Sequence, residues 1–190
     1  MPRRRGEGSW LIARARGRFL DQDRPRGYPS VTSGSDLAEL EAIQAMKARY
    51  FRCVDTKNWE GLAALFADDA VFDVGGDAAA DRTLMRKGEY VKLHVDLLSE
   101  ATSVHQGFVP ELELTGPTTA RGIWAMQDYL DFRGAPGPLP GKGTIVRGYG
   151  HYHEEYVKKN GEWQISYLRV ARLRLEEFDS HEHAVSADTQ

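Results

Sequence analysis

The stretch from Thr102 to Phe132 constrains this chain most. It reads as two strands, Ser103–Leu114 and Thr119–Phe132, joined by a turn at Thr115-Gly116-Pro117-Thr118. Side chains two apart on a strand point the same way. Trp124, Met126, Asp128 and Leu130 therefore share one face, while Arg121, Gln127 and Asp131 stand elsewhere. That alternation sets one carboxylate, Asp128, in a row of large apolar groups, where it is costly unless paired. Folding the hairpin about its turn brings His105 almost opposite Asp128. The expectation is a His–Asp pair in apolar surroundings, with His105 as the proton acceptor.

The rest of the chain supplies helices first and further long strands afterwards. Ser35 or Asp36 can cap a helix, and Asp36 to Glu39 has the form of a capping box. Leu37, Leu40, Ile43, Lys47, Tyr50 and Val54 recur at steps of three and four, which predicts a helix over Leu37–Val54. Tyr50 lies on its apolar side, and periodicity alone reads it as an ordinary core residue. A break at Asp55–Asn58 precedes a short helix, Trp59–Phe66, then a strand over Ala70–Val74. Gly75–Asp81 reads as a loop and Lys87–Leu98 as a helix. Gly134–Gly143 is a Gly- and Pro-rich loop, expected to be mobile and placed to cover a pocket. Strands over Thr144–Lys158 and Trp163–Leu175 turn at Lys159-Asn-Gly161, a strong hairpin signal. Strict alternation on the last strand puts Trp163, Ile165, Tyr167, Arg169 and Ala171 on one face. This order is α+β.

The sequence of 190 residues suffices for one domain with a proper core. The expected division is an arm over 1–35, the folded domain over 36–178 and a polar tail over 179–190, which includes His181 and His183. The arm holds eight Arg against Glu7, Asp21 and Asp23, a surplus of five, so a chain of net charge −3 carries −8 outside it. An Arg-rich, acid-poor leader reads as a disordered arm, with a transit peptide or a patch for anionic partners as alternatives, and a natural start near Val31 would fit the change in composition. The net charge of −3 argues against a nucleic-acid binder as a whole. Nothing approaches the roughly 18 apolar residues that span a membrane. A single cysteine, Cys53, excludes an internal disulfide framework and fits a reducing, cytoplasmic setting.

Residues along the chain also carry a resemblance. The run Ile43 to Leu62, with its Tyr50-Phe-Arg-Cys-Val-Asp55, resembles the opening of the SnoaL-like group of the nuclear-transport-factor-two-like superfamily. His105-Gln-Gly, Trp124-Ala-Met-Gln-Asp128 and Gly161-Glu-Trp163 through Arg169 continue it over residues 37–178. Within that superfamily it is most similar to the bile-acid 7α-dehydratases and, more distantly, to the scytalone dehydratases. The resemblance implies a cone of helices and a curved antiparallel sheet around an apolar pocket, often as a homotrimer or homodimer. It places the catalytic histidine and aspartate on His105 and Asp128 and pocket tyrosine and aspartate on Tyr50 and Asp55. The arginine of the last strand falls on Arg169, where bracing Asp55 is the expected role. A second pocket tyrosine falls on Val74, which has no hydroxyl.

The activity so implied is a cofactor-free elimination of water from a hydrophobic, hydroxylated carbonyl compound, steroid- or polyketide-like. His105 removes a C–H proton, Asp128 fixes its tautomer and Tyr50 donates a hydrogen bond to the leaving or developing oxygen. Trp124 and Met126 would line the pocket. His151 and His153, at i and i+2 on one strand face with Glu155, could chelate a metal, touch substrate or be ordinary sheet histidines. The chemistry itself needs no metal. Isomerase or cyclase activity through the same His–Asp pair, or a non-catalytic small-molecule binding module, stand as alternatives.

Overall fold

The computed structural model describes residues 33–74, 83–133 and 144–179. Most of the Arg-rich arm, the Gly75–Asp81 loop, the Gly134–Gly143 loop and the tail beyond Asp179 lie outside the described residues. The elements run α1 (Gly34–Asp55), α2 (Trp59–Ala64), β1 (Phe66–Asp73), β2 (Leu84–Arg86), α3 (Lys87–Leu98), β3 (Thr102–Gly107), β4 (Glu111–Gly116), β5 (Thr119–Asp131), β6 (Thr144–Lys159) and β7 (Glu162–Asp179). Together they make an α+β fold in which helices from the first half cover one face of an open, curved seven-stranded sheet. Among the described residues no helix is long and apolar enough to cross a membrane.

The helix α1 starts earlier than its capping pattern predicts. Ser33, not Ser35 or Asp36, is the N-cap, its Oγ accepting from the Asp36 N–H at 3.2 Å. At the other end the chain reverses tightly. Lys57 adopts φ 60°, the Lys57 N–H donates to the Val54 carbonyl and the Asn58 N–H donates to that of Cys53. This Schellman-type ending satisfies helix carbonyls that would otherwise be orphaned. Asn58 then caps α2 through Oδ1 and the Gly61 N–H at 2.9 Å. Asp55 is thus fixed on the last residue of α1, at the rim of the sheet.

The sheet order is β2-β1-β7-β6-β5-β3, with β4 also paired to β5. All pairings are antiparallel except β1 with β7, which is parallel because α3 and the central strands intervene between them in the chain. The single long strand expected over Ser103–Leu114 is two strands. Phe108-Val109-Pro110 separates them, since proline has no N–H for the ladder. At the β6–β7 turn, Asn160 and Gly161 take φ 53° and 85°, the left-handed values that an Asn-Gly hairpin requires.

Strict alternation fails on β7. Ile165 pairs with Tyr156 but Tyr167 with Glu155, so Ser166 is an extra residue that shifts the register. Such a bulge exchanges faces beyond it. Trp163 and Ile165 point to the core, and so do Leu168 and Val170, whereas Tyr167, Arg169 and Ala171 lie on the outer face. A second shift between Tyr149 and Gly150 follows, with Gly150 opposite Arg172. The core lies between α1, α2, α3 and the inner face, where Ile43, Met46, Val54, Leu62, Phe66 and Leu168 are buried. Burying each such side chain contributes about 1.5–3 kcal/mol.

Candidate acid–base site

The edge strand β3 and the end of α1 meet at His105 and Asp55. One Asp55 carboxylate oxygen, Oδ1, accepts from the His105 ring Nδ1 at 2.7 Å, and the other, Oδ2, accepts from the His105 backbone N–H at 2.9 Å. Ser103 Oγ donates to Asp55 Oδ1 at 3.1 Å and itself accepts from Lys57 Nζ at 2.7 Å. Burial is the main cause holding the Lys57 ammonium below its ordinary pKa, while the Asp55 charge opposes that shift. An ionised carboxylate only accepts, so Nδ1 carries the imidazole proton and Nε2 presents a lone pair. Among the described residues nothing hydrogen-bonds to that Nε2. The imidazole is nearly buried, with 9% of its side chain exposed. This is the geometry of a base whose tautomer is fixed from behind.

Asp128 stands directly opposite His105 in the β3–β5 register, as the hairpin predicts, but it is not the residue that holds the ring. Side chains opposite one another on neighbouring strands lie side by side. A carboxylate arriving from a helix end can instead meet Nδ1 head-on. The fully buried Asp128 is paired through Oδ2 with Arg172 Nη1 at 2.6 Å. Its Oδ1 has no hydrogen-bond partner among the described residues. Arg172 also lies 3.9 Å from Met126 Sδ. The route between β7 and β5 passes over glycine: Gly148 is opposite Asp128 and Gly150 opposite Arg172. A Cβ on Gly148 would stand 1.8 Å from Arg172 Nη1 and 2.2 Å from Asp128 Oδ1.

Tyr50 is fully buried, and its hydroxyl is 2.9 Å from that of Tyr90 on α3. Burial raises both phenol pKa values well above the ordinary value, with Tyr152 shifted the same way, so all three are neutral O–H groups. The Tyr90 and Tyr152 phenols both feel the Arg172 charge, and Tyr152 that of Asp128 as well. Tyr90 is stacked on Phe72, with ring centroids 3.9 Å apart and planes 8° from parallel. Four residues on, the His94 ring packs on Tyr90 at 4.4 Å and places Nδ1 2.9 Å from the Tyr90 carbonyl oxygen. His94 is lowered to about 4, first by burial, with smaller contributions from the charges of His105 and Lys57. Tyr50, Asp128 and His105 therefore belong to one neighbourhood whose connecting members are Tyr90, His94, Tyr152 and Arg172.

Beneath it lies a buried ion pair. Lys47, wholly enclosed, bonds Glu154, and its Nζ sits 4.0 Å from the Tyr50 ring centre and 3.8 Å from that of Tyr152. Burial lowers the Lys47 pKa and the carboxylate of Glu154 opposes the shift. Glu154 also accepts from Tyr156 Oη at 2.5 Å, and Tyr156 accepts from Trp124 Nε1 at 2.8 Å. Trp124 and Met126 line the inner face as their alternation predicts. Val74 is half-buried against the core at the end of β1.

Three expected site residues lie elsewhere. Arg169 pairs in register with His153 and with Asp73, on the outer face, so it does not brace Asp55. His153 and His151 face outward beside it, opposite Ile123 and Ala125. The bulge at Ser166 is the reason for Arg169; the two histidines have the parity opposite to the inner-facing Tyr152. His151, His153 and Glu155 are not among any group of three or more His, Cys, Asp or Glu that could hold a metal, and no such group occurs among the described residues. Arg172, His94 and the Lys47–Glu154 pair were not singled out from sequence. Gly148-x-Gly150 inside a strand signals a close approach, and Tyr90 with His94 at i and i+4 signals a shared helix face.

Comparison with known proteins places the chain in a family. The chain is 24% identical over 141 residues to "Probable cyclase FGR4" of Gibberella zeae, covering 69% of this chain and 89% of that protein. Its fold is similar to "Putative Scytalone Dehydratase" from Novosphingobium aromaticivorans, with TM-score 0.63, 18% identity, and 76% and 90% of the two chains covered. It is similarly close to a hexachlorocyclohexane dehydrochlorinase, LinA type 2, with TM-score 0.61, 20% identity, and 75% and 90% covered. The family model for the SnoaL-like domain matches residues 35–169, which takes in Tyr50, Asp55, His105, Asp128 and Arg169. The chain belongs to the SnoaL-like domain family.

Proposed function

We propose that the protein is a cofactor-independent lyase of the dehydratase type, acting on a hydrophobic, hydroxylated carbonyl compound of steroid- or polyketide-like character. The single observation that carries this reading is His105, held in its Nδ1–H form by Asp55 with Nε2 left open. Such a nitrogen removes a proton from carbon, and the carboxylate behind it stabilises the imidazolium that results. The C–H electrons move toward the adjacent carbonyl, and the β-hydroxyl leaves as water on taking back the proton that His105 removed, which restores the neutral imidazole. After Tyr50 and Tyr90 bond to each other, one phenol proton remains uncommitted, available to the developing oxyanion. Asp128 and Arg172 supply an ion pair on the inner face, with Asp128 on the strand position opposite His105. Trp124, Met126 and Tyr152 give the apolar surface that strengthens these interactions.

The same base serves an isomerase or cyclase, and the resemblance to a protein named as a cyclase favours keeping that second reading. Both begin with proton removal and differ in what leaves. Wild type and His105→Ala are to be incubated with a panel of hydroxy-steroid and polyketide ketones, free and as thioesters, and the products weighed. Loss of one water with wild type alone supports the dehydratase. A new product of unchanged mass moves the assignment to isomerase or cyclase. Turnover that survives in His105→Ala removes His105 from the mechanism.

A further inference from the structure

His94 has no part in the chemistry above, yet its setting is that of a site residue. A backbone carbonyl can only accept, so the contact from Nδ1 to the Tyr90 oxygen at 2.9 Å fixes the proton on Nδ1. The lone pair is then on Nε2, across the ring, and nothing among the described residues donates to it. The ring cannot turn freely, because it packs on Tyr90, which is itself stacked on Phe72 and bonded to Tyr50. His94 is close enough to His105 and Lys57 that their charges disfavour its own. A part-buried imidazole that presents an acceptor at Nε2 and is held by a backbone carbonyl differs in setting from His105, whose Nδ1 is bonded to the Asp55 carboxylate.

We infer that His94 is a second imidazole of the site, which accepts a hydrogen bond at Nε2 from a hydroxyl of the bound molecule and so selects hydroxylated ligands over their deoxy counterparts. The inference rests on the reading of the inner face as a ligand site served by His105. It adds the group that recognises the hydroxyl, leaving His105 free for the C–H proton. A neutral imidazole is suited to that division, since a second strong base would compete for the proton His105 must take.

The test uses the histidine ring nitrogens of the ¹⁵N-labelled full chain, observed by NMR with 2-naphthol or naphthalene added as matched probes. In free protein His94 Nε2 is expected to be unprotonated. Adding 2-naphthol should perturb His94 Nε2 and also His105, whereas naphthalene should leave His94 Nε2 unchanged. His94→Phe, which keeps an aromatic ring, should bind 2-naphthol about 3–10-fold more weakly, the worth of one hydrogen bond, with naphthalene affinity unchanged. His94→Gln, which restores an acceptor oxygen, should recover part of that preference. A protonated Nε2 in the free protein overturns the inference, as does a response to 2-naphthol at His105 alone. Equal weakening of both probes in His94→Phe also overturns it, because that is a packing role. If neither imidazole responds to either probe, the ligand-site reading fails and this inference falls with it. The wild-type spectra carry the test even if a variant fails to fold.

Discussion

Arg172 on β7 reaches Asp128 on β5 across the intervening strand, and the 2.6 Å ion pair exists because that strand carries glycine where they cross. Gly148→Ala should therefore separate the two, since a methyl group there would overlap both Nη1 and Oδ1. Arg172 is part-exposed and can turn to water, whereas Asp128 cannot. The expected cost is about 1–3 kcal/mol, the range for overpacking a filled site. Urea unfolding of the variant, read against wild type, checks it. An unchanged midpoint would mean that the pair contributes nothing to the fold.

Asp55 and Asp128 make distinguishable predictions. Asp55→Asn leaves an amide that no longer fixes the His105 tautomer or stabilises its cation. Turnover should fall roughly 10²–10⁴-fold, the usual scale of general acid–base help. Asp128→Asn should leave the His105 Nδ1 proton where it is, because Asp128 does not contact that nitrogen. Steady-state kcat for the first variant and ring-nitrogen spectra of the second decide the matter. A tautomer change in Asp128→Asn would return Asp128 to the role that alternation on β5 suggests.

The Lys47–Glu154 pair should behave as an interior charge pair. Lys47→Met strands a buried carboxylate, which costs about 3–5 kcal/mol. Lys47→Met combined with Glu154→Gln removes both charges while keeping an acceptor for Tyr156, and most of the loss should return. Denaturant midpoints of the two variants measure this. Equal destabilisation of single and double variants would show that aromatic packing around Lys47, not charge, is what the single change disrupts.

Acid should weaken the fold through His94. Its pKa is lowered to about 4 in the folded chain, against an ordinary value near 6.5 when unfolded. The folded state thus prefers the neutral ring. That preference is fully present above about pH 6.5 and is lost progressively as pH falls through the folded value. At about 1.36 kcal/mol per unit, the contribution amounts to roughly 3 kcal/mol. Unfolding free energies measured at pH 7 and pH 4.5 should converge in His94→Gln relative to wild type. Identical pH slopes in the two proteins would mean that His94 titrates normally.

Much of this architecture is legible from local pattern. The α3 helix follows from its periodicity, the β6–β7 turn from Asn-Gly, and the inward row of Trp124, Met126 and Asp128 from simple alternation. The facing of His105 and Asp128 follows from hairpin arithmetic. What escapes is the third dimension above the sheet. Asp55 reaches His105 from a helix end 50 residues earlier, and no periodicity predicts where a helix end will dock. Arg172 escapes because the inserted Ser166 on β7 breaks the count by which faces are assigned. Arg169, read by that count, is assigned to the wrong side. His94 escapes because its spacing from Tyr90 shows a shared helix face but not that the Tyr90 carbonyl holds its ring.

The extra residue at Ser166 has one more consequence. Every side chain from Tyr167 to Arg172 owes its side of the sheet to that single inserted position. Deleting that position would turn the distal half of β7 inside out, sending Leu168, Val170 and Arg172 to the exterior and bringing Tyr167 and Arg169 in. A point substitution there changes one side chain, but a one-codon deletion rewrites the whole wall. In this half of the strand the number of residues, more than their identity, decides which side chains face the core.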